Sequence, residues 1–241
     1  MNDHTPPARP HVRLTEDGRP VREVLTYSRR GSRFGPRQQR WWDEYGERYW
    51  IPDERVDQPG FSFADQFTHP ERPLIVEIGC GIGEATAELA AGRPEANVLG
   101  FEVWRPGVAE CCGRAGERGL DNLRMCSVDA VWSVQHLIGE GRLAGLWTFF
   151  PDPWQKARHA KRRLVNPTFA HVAATRLAPG AEWRLATDWP EYAEMAREVL
   201  DAEPLLEGGA VERWPERPMT RFERRGVREG REIVDLAYRR P

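Results

Sequence analysis

From residue 74 onward, short apolar runs alternate with segments in which apolar positions recur every three or four residues. The runs at Leu74–Ile78, Asn97–Phe101, Leu123–Ser127, Gly145–Phe150, Trp183–Thr187 and Ile233–Tyr238 read as strands, several of them apolar at nearly every position, as strands buried on both faces require. The segments between them read as helices over Glu84–Ala91, Pro106–Glu117, Ala130–Ile138, Pro167–Leu177 and Glu191–Asp201. Pro106 and Pro167 sit where a first helical turn tolerates proline, and Pro179-Gly180 closes the fourth helix. Repeated strand–helix units of this kind predict an α/β fold with a doubly wound, mostly parallel sheet.

Upstream of residue 74 the pattern changes. Trp41, Trp42, Tyr45, Tyr49 and Trp50 fall on a helix-like spacing, followed by a loop. The spacing favours packing of these rings, in the core or as a lid, over a base-stacking platform. Residues 1–40 are rich in Pro, Gly and Arg and show no apolar period, so they read as a flexible basic arm, with Tyr27-Ser-Arg-Arg-Gly31 as an element able to dock. No boundary is visible after residue 74, and residues 41–241 read as a single domain.

Charge sharpens this picture. The net charge of −2 conceals segregation: residues 1–40 carry +5, residues 151–165 carry +4 and residues 213–241 carry +4, so the remainder carries −15. Such asymmetry suits a polyanionic partner meeting the basic parts, against the plainer alternative of solvated surface charge. Lys156 and Lys161 are the two lysines among 35 basic residues, and both lie in one short stretch. No apolar run reaches the ~20 residues of a membrane span, and the polar, Pro-rich start does not resemble a secretory signal. Four cysteines without a Cys-x-x-Cys spacing suit reduced thiols in a cytoplasmic protein, and the six histidines show no metal spacing, so no metal site is expected.

In sheets of this class ligands bind beyond the carboxyl ends of the strands. The first strand leads into Glu77-Ile-Gly79-Cys-Gly81-Ile-Gly83, a turn that permits close approach of a ligand. A dinucleotide fingerprint requires glycine three positions past Gly81, but Glu84 stands there, at the helix N-terminus where a pyrophosphate would lie. That argues against a nicotinamide-dependent oxidoreductase. Glu102, nineteen residues past Gly83, ends the second strand and suits two ribose hydroxyls. Asp129 follows the third and suits an adenine amino group, or alternatively caps the next helix. Together these acids describe a pocket for a nucleoside without phosphates that carries a cation, as S-adenosylmethionine does. Asp188 before Trp189-Pro190 is another candidate cap, and Thr220-x-x-Glu223 fits a capping box, although no apolar run follows it.

The fourth strand runs into Phe149-Phe-Pro-Asp152-Pro-Trp-Gln-Lys156-Ala-Arg158-His-Ala-Lys161-Arg162-Arg163. With Ala186-Thr-Asp188-Trp and Thr220-Arg-Phe-Glu223-x-x-Gly226 followed by Asp235-Leu, this resembles the bacterial tRNA (guanine-N7)-methyltransferase family over roughly residues 21–240. The resemblance implies a class I S-adenosylmethionine-dependent methyltransferase, Rossmann-like, with a seven-stranded, mostly parallel sheet whose last strand is antiparallel. It implies S-adenosylmethionine bound by Glu77, Gly79, Gly81, Glu102, Asp129 and Asp152. Asp152 would also be catalytic, and substrate would meet Lys156, Asp188, Thr220, Arg221, Phe222 and Glu223. Arg158, Lys161, Arg162 and Arg163 would contact tRNA. Neither a membrane nor an obligatory protein partner is implied. Arg221 stands where relatives often carry Lys, which keeps the charge but changes hydrogen-bond geometry. Cys80 is a second departure, at a position expected to tolerate change. The competing reading is a noncatalytic RNA-binding protein on a decayed methyltransferase fold, and the intact acids argue against it.

Overall fold

Pro36 opens the first helix of the structure, a computed structural model that describes residues 25–27 and 31–241. The chain then runs α1 (Pro36–Tyr49), β1 (Trp50–Ile51), α2 (Asp53–Val56), β2 (Leu74–Ile78), α3 (Glu84–Ala91), β3 (Asn97–Phe101), α4 (Arg105–Glu117), β4 (Leu123–Cys126) and α5 (Ala130–Leu137). It continues through β5 (Leu143–Phe149), α6 (Pro167–Arg176), β6 (Leu177–Thr187), α7 (Pro190–Asp201), β7 (Glu207–Val211), α8 (Arg221–Arg228) and β8 (Val234–Arg239). The sheet order is β1-β4-β3-β2-β5-β6-β8-β7. β1 through β6 pair in parallel, and β8 is inserted antiparallel between β6 and β7. Without the two-residue β1, this is the expected seven-stranded sheet with its last strand reversed.

Three expectations need correction. The helix takes in residues 36–40, assigned above to the arm, because Pro36 supplies the pre-set φ of a first turn; residues 1–24 and 28–30 of that arm lie outside the described residues. β7, Glu-Gly-Gly-Ala-Val, carries no apolar alternation. Its pairing instead demands a missing side chain, since a Cβ on Gly208 would lie 2.0 Å from the Ala237 carbonyl oxygen. β6 begins at Leu177 rather than after Pro179-Gly180, with an irregularity in its pairing to β5 that absorbs the turn residues.

The aromatic run is packing, as its spacing suggested. Gly113 and Gly116, three apart on α4, leave room for α1: Cβ atoms there would fall 2.1 Å from the Trp41 ring and 2.2 Å from the Tyr45 ring. Tyr49 is fully buried and its hydroxyl donates to the Leu120 carbonyl at 2.8 Å. α1, α3 and α4 thus cover one face of β2–β4, while α5, α6 and α7 cover the other face of the sheet. What remains open is the row of strand C-termini between the two layers.

Candidate active site

That row of strand ends frames an open cleft lined among others by Gly79, Gly81, Glu102, Val128, Phe150, Asp152, Arg221 and Phe222. The turn after β2 holds Gly79, Gly81 and Gly83 at φ of 78°, 61° and 73°, a region closed to most side chains. Gly83 also cannot take a Cβ, which would sit 2.4 Å from the Cys111 sulfur. Glu102 at the end of β3 fixes this turn: its Oε2 accepts from the Gly81 amide at 2.9 Å and its Oε1 from the Trp104 amide at 2.8 Å. The carboxylate is thereby held at the cleft wall in one orientation.

Glu77 lies deeper, 2% exposed, in a narrow recess that shares Gly79, Phe150, Arg221 and Phe222 with the cleft. Among the described residues its Oε2 has no hydrogen-bond partner. Burial pushes its carboxyl up to about 7; the Thr86 hydroxyl opposes this and the Glu102 carboxylate adds to it. A buried acid with an unpartnered oxygen beside a cleft fits a ligand that brings a positive group. Asp129, three residues past the end of β4, is buried between the cleft-lining Val128 and Ala130. It caps α5, its Oδ1 accepting from the Trp132 amide at 2.8 Å.

Asp152 stands at the cleft mouth on a turn bracketed by two non-glycine residues at positive φ, Phe150 at 54° and Trp154 at 47°. Strain of this kind persists only where the surroundings over-determine it. Here the Phe150 amide donates to the Ala186 carbonyl at 2.7 Å, and Arg163 Nε donates to the Pro153 carbonyl at 3.0 Å. Trp154 Nε1 donates to the Thr26 carbonyl at 3.1 Å, while the Arg162 guanidinium lies 3.7 Å from the centre of its ring. Arg162 also donates to the carbonyls of Leu25, at 2.8 Å, and Tyr27.

Hence the basic stretch divides. Lys156, Arg158 and Lys161 point to solvent, whereas Arg162 and Arg163 are half-buried and bind main-chain oxygens. The stretch Ala157–Arg162 is a 3-10 turn. His159 lies among these cations; desolvation, then Arg158, Arg162 and Lys156, lower its affinity for a proton.

The C-terminal motif forms the opposite wall. Thr220 caps α8, accepting from the Glu223 amide at 3.4 Å, so the capping reading holds for the hydroxyl. Glu223 is turned inward, 1% exposed, taking Arg213 Nε at 2.6 Å and Arg217 Nη1 at 2.6 Å. Phe222, by contrast, projects over the glycine turn, its ring 3.8 Å from where a Gly81 Cβ would stand. Glu84 secures this wall: its carboxylate takes the Arg221 amide at 2.7 Å and Arg224 Nη2 at 2.6 Å. The acid that breaks the dinucleotide pattern therefore ties α3 to α8. Asp188 does not cap α7; it pairs with Arg231 Nη1 at 2.5 Å, and the α7 N-cap is Trp189.

Sequence reasoning missed Arg217. Its side chain is wholly buried, pairs with Glu223 and with Asp235 Oδ2 at 2.9 Å, and lies over the rings of Phe149 and Phe150. Its partners lie on α8, β8 and the end of β5, and no local pattern marks such a convergence.

Strand order, glycine turn and acid-lined cleft together define the class I methyltransferase architecture. A family model described as "Putative methyltransferase" matches residues 71–236. A solved 16S rRNA methyltransferase, KamB, superposes with a TM-score of 0.52, covering 92% of this chain and 100% of its own at 15% identity. The chain belongs to the tRNA (guanine-N(7)-)-methyltransferase family. A member from Nocardioides sp. (strain ATCC BAA-499 / JS614) is 64% identical over 244 residues, covering 100% of this chain and 98% of its own. One from Cutibacterium acnes is 42% identical, covering 91% and 84% respectively.

Proposed function

We propose that this protein transfers a methyl group from S-adenosylmethionine to N7 of a guanine in the variable loop of tRNA, in the cytoplasm and without an obligatory protein partner. The observation that carries the reading is the placement of Asp152 in the same cleft as the glycine turn and Glu102, with Phe222 closing the far wall. When bound, S-adenosylmethionine supplies an electrophilic methyl group. Glu102 is assigned to the ribose hydroxyls, and Asp129, between the cleft-lining Val128 and Ala130, to the adenine amino group. Glu77 offers its unpartnered oxygen to the cofactor's positive charge.

Guanine N7 has a lone pair and no proton, so no general base is needed to create the nucleophile. The protein must align the base with the methyl group and place negative potential where positive charge develops. Asp152, on a turn fixed by Phe150, Trp154 and Arg163, suits both tasks. Incubation with unmodified tRNA and methyl-labelled cofactor, followed by mapping of the modified base, tests the reading. Label at guanine N7 of the variable loop is expected; label at another atom, or none, removes it.

Two predictions follow from the site's electrostatics. Below pH 7 Glu77 is largely protonated and a cationic ligand must displace that proton; above pH 7 the carboxylate is ready. The affinity for S-adenosylmethionine should therefore weaken by about tenfold between pH 8 and pH 6. Calorimetry on Glu77→Gln should show weaker binding without that slope, and a slope retained in the variant would assign the proton to another group.

Replacing Lys156, Arg158 and Lys161 together by glutamine should weaken tRNA binding and flatten its dependence on salt by about 2–3 in log–log slope. Arg162 and Arg163 are left in place because they hold the Asp152 turn. A salt slope equal to that of the parent protein would return these three cations to ordinary solvated surface.

A further inference from the structure

Among the described residues four large hydrophobic side chains are exposed, Val211, Met219, Phe222 and Val227, at 38–53%. Three of them fall within the nine residues 219–227, on α8 or just before it. α8 carries four arginines: Arg221, Arg224, Arg225 and Arg228 share its outer side, while Glu223 and Gly226 are buried on the inner side. α8 packs closely there: a Cβ on Gly226 would stand 3.0 Å from Asp188 Cβ. The helix is thus anchored by one side and presents guanidinium groups on the other, with Phe222 along one edge of that face and Val227 along the opposite edge.

We infer that the RNA-binding face continues along α8 beyond the Thr220–Glu223 segment that the resemblance assigns to substrate, with Arg225 and Arg228 taking phosphates and Val227 an unstacked base of the nucleotides flanking the target. This rests on the tRNA reading above. Phe222 and Arg221 reach the cleft from α8, while Pro151 and Asp152, just before Lys156, reach it from the opposite rim, so the two basic segments bracket the cleft mouth. An RNA strand that delivers one base into the cleft must continue past both rims. The combination of cations and exposed apolar surface suits splayed nucleotides better than a duplex, whose bases are hidden from side chains.

The existing partners of these arginines do not oppose this. Arg225 pairs with Glu229 at 2.9 Å with 63% of its side chain exposed, and Arg224 pairs with Glu84 at 53%. The Arg225–Glu229 pair lies at the surface, contributes little and exchanges readily for phosphate, whereas Arg224 stays on Glu84 and keeps α8 tied to α3. Arg228 makes no ion pair among the described residues.

The test uses the full-length protein with S-adenosylmethionine and an unmodified tRNA transcript, once the parent has been shown to methylate it. Arg225→Gln with Arg228→Gln should weaken tRNA binding about tenfold and lower the log–log salt slope by about 1.4, the value for two single-strand phosphate contacts. Val227→Ser should weaken tRNA binding about fivefold with the slope unchanged. Light scattering is measured alongside. Parent-like affinity and slope in the double variant would overturn the assignment. A parent dimer that Val227→Ser dissociates, with tRNA affinity intact, would give the face to a second copy of the chain and overturn it too. A parent that fails to methylate tRNA would instead count against the underlying function.

Discussion

Arg217→Met is expected to destabilise the protein by about 3–5 kcal/mol, the range for breaking a buried ion pair by removing one partner. The guanidinium has no exposure and meets two carboxylates from different elements, Glu223 Oε2 at 2.6 Å and Asp235 Oδ2 at 2.9 Å. Arg213 would still pair with Glu223. Asp235 would keep the Trp214 amide, at a weak 3.4 Å, as its remaining hydrogen bond and would stay buried at 5% exposure. Methionine fills most of the volume but offers neither charge nor donor, so the cost falls on the stranded carboxylate. Adding Asp235→Asn should recover a substantial part of the loss, because the amide has less need of a counter-charge. Urea unfolding of the two variants measures both effects. A loss below about 1 kcal/mol in Arg217→Met would show that water reaches the network. A double variant no more stable than the single would place the cost in packing against Phe149 and Phe150, not in charge.

The contrast between Arg217 and the strands shows which parts of this molecule can be read from its sequence. Leu74–Ile78 and Asn97–Phe101 are apolar because both faces of the sheet are covered, and composition alone marks such strands with their true ends. Glu84–Ala91 is equally legible, opening after a glycine turn. The cleft residues at strand ends follow from the same logic, since the topology dictates where a strand must stop. Features fixed by distant partners leave no such trace. β7 is visible in the structure through its pairing with β8, not through its own side chains. Arg162 looks like its neighbour Lys161 in sequence, yet it binds Leu25, 137 residues away, while Lys161 faces water. Glu223 follows a capping hydroxyl, and its burial depends on Arg213 and Arg217. Periodicity reports which side of an element is covered; it does not report which charged side chain a distant residue has drawn inward.

Asp152→Asn should reduce the single-turnover rate of methyl transfer by ~10²-fold or more, the scale for losing one preorganised electrostatic contact. The substitution keeps size and shape but removes the negative charge at the place where the base acquires a positive one. The side chain is exposed and has no place in the core, so the melting temperature should scarcely move. Its position does not depend on its own charge: Arg163 holds the Pro153 carbonyl, the Ala186 carbonyl holds the Phe150 amide, and Trp154 is fixed beneath Arg162. The asparagine should therefore occupy the same site, and the deficit should be electrostatic. Raising the pH should not rescue the variant, because N7 carries no proton to remove. Affinity for tRNA and the rate under saturating cofactor separate the remaining possibilities. A variant with weakened tRNA binding but a near-parent single-turnover rate would recast Asp152 as an acceptor for the guanine N1–H and amino group. A large fall in melting temperature would show that the carboxylate builds the turn, and the strained geometry at Phe150 and Trp154 would then owe its stability to Asp152 itself.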